Sequence, residues 1–151
     1  MRILGIDPGN YNTGFSFLDI NGNNTELVLS GVIKSKKKPE NLKNIFNKLS
    51  ELINEYEPEE IALESSFYGK NPQSLIRLGE VRGVILLIST IENLPVFEYT
   101  PQQVKNSITG YGWAGKKQVL NMVERLFNKK IDSTDEADAI AVAFCHFINR
   151  R

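Results

Sequence analysis

Sulfur and histidine are nearly absent from this chain: one cysteine, one histidine and two methionines among 151 residues. The lone Cys145 cannot close an internal disulfide, and its place in Ala141-Val142-Ala143-Phe144-Cys145 reads as a small core side chain. Net charge is absent too. Lysine plus arginine and aspartate plus glutamate both total 18, so the sum of charge gives no direct pointer to nucleic acid; what counts is where the charge sits. The longest apolar run, Gly83 to Ile88, is too short to span a bilayer. The chain passes into its first strand without a charged-then-apolar leader. A soluble cytoplasmic protein is expected. At 151 residues and 41% apolar content, residues 1–151 make one domain with a proper core.

What is present is strongly patterned. Residues 2–6 read as a buried strand, and Asp7-Pro8-Gly9-Asn10 as a turn. Thr13 to Ile20 and Glu26 to Ile33 read as strands joined through Asn21-Gly22, a hairpin signal. Apolar residues at 42, 45, 46, 49, 52, 53 and 56 mark a helix from about Pro39, stopped by Glu57-Pro58-Glu59. Residues 60–64 form a short strand and 65–72 a polar and aromatic loop. A helix spans about 73–92, apolar almost all round in its second half, so it needs cover from the core and from a partner subunit. Pro95–Tyr99 is a fifth strand. Thr100-Pro101-Gln102-Gln103 combines an N-cap, a first-turn proline and a capping-box glutamine. Residues 109–115, with three glycines and Trp113, form a loop before helices at about 116–128 and 134–149. The order βββαβαβααα predicts an α/β domain with a five-stranded mixed sheet.

Carboxylates end these elements in an unusual way. Asp7 closes Ile3-Leu4-Gly5-Ile6, Glu64 closes Ile61-Ala62-Leu63, and Asp135 and Asp138 open the last helix. Strands disfavour acids, and burying a carboxylate is expensive. A divalent cation offsets that cost, because Mg²⁺ prefers carboxylate oxygens, water and substrate phosphate. If 2–6 and 60–64 are neighbouring strands, Asp7 and Glu64 meet at one end of the sheet. Asp135 and Asp138, three apart, share a helix face, and Ser133 with Glu136 suggests a capping box. Taken singly, Asp7 is a turn former and the helix acids complement a macrodipole. Together the four point to metal-dependent phosphodiester chemistry. His146 lies eight residues beyond Asp138, roughly 12 Å along the helix axis, and falls outside such a site.

Several motifs in register then carry a family resemblance: Gly5-Ile6-Asp7-Pro8-Gly9 with Thr13-Gly14, Leu63-Glu64-Ser65, Leu78-Gly79-Glu80-Val81-Arg82-Gly83, Val96-Phe97-Glu98-Tyr99 with Gln103-Val104-Lys105, a glycine-rich loop ending at Lys116, and Asp135-Glu136-Ala137-Asp138-Ala139. In order from residue 3 to about 147, the chain resembles the RuvC family of Holliday-junction resolvases. The resemblance implies an RNase H-like fold, sheet flanked by helices, and a homodimer that nicks two opposed strands of four-way junction DNA. It implies Asp7, Glu64, Asp135 and Asp138 as metal-binding catalytic acids for two Mg²⁺ ions, with Mn²⁺ a possible substitute, and a branch-migration motor complex as a possible partner. Two ions roughly 3.5–4 Å apart would clamp the scissile phosphate, with Asp7 on the central strand bridging them, leaving 5′-phosphate and 3′-hydroxyl ends.

Lys116, by resemblance, contacts the phosphate backbone near the site and assists catalysis. Phe67, with Tyr68, follows Glu64 and is placed to stack on unpaired bases, a contact worth about 1–3 kcal/mol per base. Arg82, Lys105 and Lys117 are further DNA-binding candidates, with solvated surface as the plain alternative. Lys36–Lys38, Lys105, Lys116 and Lys117 are expected on the catalytic face and the Glu-rich stretch 51–60 away from it. Three rival readings remain. Sugar-kinase and actin-like ATPases share the Gly-Ile-Asp opening but need two such domains. An RNase H-like nuclease could act on RNA or on branched or flap DNA. A non-catalytic junction-binding module would be favoured only by a missing acid, and none is missing.

Overall fold

The computed structural model describes residues 1–34, 36–65 and 71–150. Five strands form one mixed sheet: β1 (Arg2–Asp7), β2 (Asn12–Asn21), β3 (Asn24–Lys34), β4 (Glu60–Glu64) and β5 (Val96–Tyr99), in the order β3-β2-β1-β4-β5. β1, β2 and β3 are antiparallel neighbours, while β4 lies parallel to both β1 and β5. The central strand is therefore β1, as the position of Asp7 required. Among the described residues the helices follow the expected order: α1 (Glu40–Tyr56), α2 (Pro72–Ile91), α3 (Pro101–Thr109), α4 (Lys116–Phe127) and α5 (Thr134–Asn149). The turn between β2 and β3 centres on Gly22 and Asn23, not on Asn21, which stays in the ladder opposite Asn24. Gly22 takes the positive φ, 63°, that a tight hairpin needs at its first central residue.

Strand alternation divides the core in two. Leu4, Ile6, Ile61 and Leu63 pack against α1 and α2 with Phe17, Leu49 and Ile85. Ile3 and Ala62 face the other way, against α3, α4 and α5 with Val104, Val123 and Ile140. The next residues in each alternation are Asp7 and Glu64, so both carboxylates project on the α5 side of the sheet. Local chemistry sets the helix starts. Asn71 caps α2 through its side chain, which accepts from Ser74 N at 2.8 Å. Thr100 and Gln103 form the reciprocal capping box expected of α3. Only half of the box expected at α5 exists: Ser133 accepts from Glu136 N at 3.1 Å, but the Glu136 carboxylate accepts from Ser30 Oγ at 2.6 Å. The nearby strand hydroxyl wins over the backbone amide, and pins the start of α5 to β3.

The second half of α2 is unevenly covered. Val81, Ile85 and Ile88 are buried, whereas Leu87 and Ile91 are 52% and 55% exposed. Cys145 is fully buried, as a core side chain should be, and it also accepts from Ser107 Oγ at 3.1 Å. Among the described residues, no helix is long and apolar enough to cross a membrane.

Candidate active site

The close approach of α5 to the sheet builds the site. Gly5, Gly14 and Ser16 leave room on the α5 face of β1 and β2, and Ser16 Oγ donates to Ala139 O at 2.9 Å. A Cβ on Gly14 would stand 2.1 Å from the Asp135 carbonyl oxygen, and one on Gly5 would stand 2.3 Å from that of Ala139. Small side chains thus let the helix backbone sit almost on the strands. Gly14 is the ladder partner of Asp7, so the first turn of α5 is delivered to the end of β1. On the other side Ile6 pairs with Leu63, which sets Glu64 beside Asp7.

The four acids named from sequence line one cleft of about 460 Å³. Asn10, Tyr11, Asn12 and Pro101 also line it, as do Lys105 and Lys116. The electrostatics are those of crowded like charges. Burial, then the Glu64 charge and a hydrogen bond with it, hold the Asp7 carboxyl well above the usual range, with Asp138 and Asp135 adding to the effect. Asp138 is pushed up to about 7 by burial and by Glu64 and Asp135, against the opposing pull of Lys116 and Lys105. Both lysines are therefore close enough to act on the acid cluster electrostatically.

Four oxygen-donor side chains without sulfur or imidazole suit a hard divalent cation such as Mg²⁺ or Mn²⁺. Asp7, 8% exposed and destabilised as an anion, is the group with most to gain from one. As the side chains stand, no three His, Cys, Asp or Glu among the described residues are drawn into a ready ligand group. The donor set fits by chemistry and by sharing one cleft.

Other sequence-named residues fall differently. The Arg82 Nε donates to Glu98 Oε1 at 2.7 Å, which anchors α2 to β5. Lys117 is exposed next to Lys116 but does not line the cleft. Phe67 and Tyr68 lie outside the described residues. Glu136, engaged by Ser30, is no substitute for Asp135 in the cleft. His146 stands apart as expected: its Nδ1 shares a 2.7 Å hydrogen bond with Tyr99 OH and its Nε2 a 2.6 Å one with Glu60. Glu60 begins β4 and Glu64 ends it, so this part of the Glu-rich stretch is at the far end from the acids. Tyr11 and Arg77 were not singled out from sequence. The available signal was an aromatic inside a polar turn directly after Asp7-Pro8-Gly9.

A family model described as crossover junction endodeoxyribonuclease RuvC matches residues 3–146. The chain is 45% identical over 156 residues to the crossover junction endodeoxyribonuclease RuvC of Thermosipho melanesiensis, covering all of this chain and 99% of that one. It is 46% identical over 150 residues to the protein of that name from Ralstonia nicotianae, covering 97% of this chain and 83% of the relative. A structure of T. thermophilus RuvC in complex with Holliday junction substrate superposes with a TM-score of 0.89 at 28% identity, covering 97% and 93% of the two chains. The RNase H-like sheet, the acids at the ends of its parallel strands and these matches place the chain in the crossover junction endodeoxyribonuclease RuvC family.

Proposed function

We propose that residues 1–151 form a single nuclease domain that resolves four-way DNA junctions by paired symmetric nicks, using divalent metal ions. The observation that carries this reading is the convergence of Asp7, Glu64, Asp135 and Asp138 on one cleft beside Lys105 and Lys116, in a chain of a junction-resolving family. The four carboxylates would hold two Mg²⁺ ions, or Mn²⁺ in their place. When bound, such ions supply Lewis-acid activation of water and charge stabilisation at the leaving 3′-oxygen.

The residues divide the remaining work. Asp7, at the centre of the sheet and flanked by the other acids, has the best placement to face both ions. Glu64 fixes one side of it through the β1–β4 ladder, and Asp135 and Asp138 close the other through α5. Lys116 and Lys105 lie on the rim, where a DNA phosphate would sit, and balance the acids so that a polyanion can approach. Phe67 would stack on a base at the crossover, and Lys117 and Arg82 would contact more distant phosphates, Arg82 by exchanging its Glu98 partner. Products would carry 5′-phosphate and 3′-hydroxyl ends.

Paired nicking needs two sites related as the junction's strands are related, and a homodimer supplies them. The exposed Ile76, Leu87 and Ile91 on α2 support that helix as the interface. The family likeness also points to a branch-migration motor complex as partner and, together with the sequence signals, to a cytoplasmic location.

The deciding experiment is cleavage of a synthetic four-way junction with Mg²⁺, beside linear duplex, flap and RNA–DNA controls. Paired nicks confined to the junction, lost in Asp7→Asn with junction binding retained, are expected. Preferential cleavage of the flap or the RNA-containing control would replace the junction reading with a different nuclease.

A further inference from the structure

A second concavity adjoins the cleft. A groove of about 410 Å³ is lined by Lys36, Lys37 and Lys38, by Arg77 of α2, and by Asn10 and Tyr11. Asn10 and Tyr11 line both the groove and the acid cleft. They follow Asp7-Pro8-Gly9 directly, so the turn that leaves the central strand is the wall between the two. A chain of phosphates centred on the acids needs only to cross that turn to enter the groove.

Three kinds of group face this concavity. The first is positive charge from two separate elements. Lys38 is paired with Glu80 at 2.6 Å, but Lys37 and Arg77 make no ion pair among the described residues. Cations brought together from the segment before α1 and from α2 repel each other, and a polyanion between them removes that cost. The second is a large aromatic: Tyr11 is 70% exposed and packs on no other ring among the described residues. An exposed ring between a catalytic cleft and a basic groove presents a flat apolar face beside charge, and a nucleotide is the ligand that offers both a π-face and a phosphate. The third is polar: the Oδ1 atoms of Asn10 and Asn41, two residues that line the groove, have no hydrogen-bond partner among the described residues, so the wall keeps capacity for a donor.

We infer that this groove is a nucleotide subsite for the strand leading away from the scissile phosphate, with Lys37 and Arg77 taking backbone phosphates and Tyr11 stacking on the base at the lip. The inference rests on the nuclease reading and specifies how the DNA runs past the site. It gives the turn after Asp7 a second role: Asp7 faces the reacting phosphate, and Tyr11, four residues on, registers the neighbouring base. A residue in that place influences which sequence is seated for cleavage as well as how tightly.

The test uses the full chain and synthetic junctions with 2-aminopurine at successive positions on either side of the cleaved bond. Binding is read by fluorescence without divalent metal over a series of salt concentrations. With the wild-type protein, a fluorescence change is expected at a position next to the cleaved bond. It should vanish in Tyr11→Leu and survive in Tyr11→Phe, which keeps the ring. Tyr11→Leu should weaken binding roughly 5- to 150-fold, the range for loss of one base stack. Lys37→Ala and Arg77→Ala should each lower the slope of log affinity against log salt by about one. These are surface positions, and a thermal melt of each variant separates loss of contact from loss of fold. A base signal indifferent to Tyr11→Leu, or wild-type salt slopes in both cation variants, overturns the subsite while leaving the nuclease reading intact. A wild-type protein that neither binds nor nicks the junction overturns that reading and the subsite together.

Discussion

Gly14→Ala tests the link between packing and catalysis most sharply. Gly14 lies opposite Asp7 in the β1–β2 ladder, and a methyl group there would sit 2.1 Å from the Asp135 carbonyl oxygen and 2.7 Å from its carbon. Both are backbone atoms, so no rotamer change can relieve the clash. Bringing the oxygen out to 3.0 Å, below which real Cβ contacts essentially never fall, requires the first turn of α5 to retreat by about 1 Å. The same turn is held by Ser30 on Glu136 and, one turn on, by Ser16 on Ala139, so retreat strains those bonds too. Overpacking of this kind costs about 1–3 kcal/mol. The larger effect should fall on catalysis, since a displacement of about 1 Å can cost on the order of 10²-fold in rate. The assay is single-turnover junction nicking with Mg²⁺ at saturating protein, beside urea unfolding. Gly31→Ala is the control, because the three atoms nearest its new methyl all belong to the Phe15 ring, the closest at 2.9 Å, and a ring can pivot. Wild-type nicking and stability in Gly14→Ala would refute the claim that glycine at this position sets the place of the helix acids.

Asp138→Asn should abolish nicking and yet stabilise the metal-free protein. The raised carboxyl, about 7 against an ordinary 3.8, keeps a proton in the folded state that the unfolded chain has already released. Metal-free stability therefore falls as pH rises from about 4 to 7, and thermal melts across that window should decline less steeply in the variant; equal slopes would refute this. His146→Phe keeps the stacking on Phe97 but removes both hydrogen bonds, to Tyr99 and Glu60. Urea unfolding should show a loss of about 1–3 kcal/mol, with nicking by the folded protein retained; unchanged stability would show the buried pair to be idle. Leu87→Lys puts a charge on the exposed apolar side of α2 and should yield a monomer in sedimentation. A persistent dimer would place the interface elsewhere.

Much of the site was legible because its signals are local. A strand ending in an acid keeps its meaning wherever the strand goes, and period-2 alternation shows which side of the sheet that acid takes. Helix periodicity marked α1, and the Thr100–Gln103 box the start of α3, in the same way. Tyr11 and Arg77 were harder to see, since neither stands in a periodic pattern and their juxtaposition is a property of two elements meeting. The Ser133–Glu136 box failed for a related reason. The spacing was right, but a strand hydroxyl that sequence distance hides, Ser30, took the carboxylate.

The sequence by itself determined the element order, the acids that stand at the ends of these elements and the family the chain belongs to, because periodicity, capping residues and motif spacing act within a few residues of each other. Only the tertiary structure decided that these acids share one cleft, that Glu136 is drawn away from it, that Arg82 is held by Glu98, and that a basic groove opens beside Tyr11. Each of these depends on how closely α5 and α2 approach strands far away in the chain. For α5 that distance is set by the absence of side chains at Gly5 and Gly14, and for α2 by apolar packing on the other face and the Arg82–Glu98 pair, which no local pattern encodes.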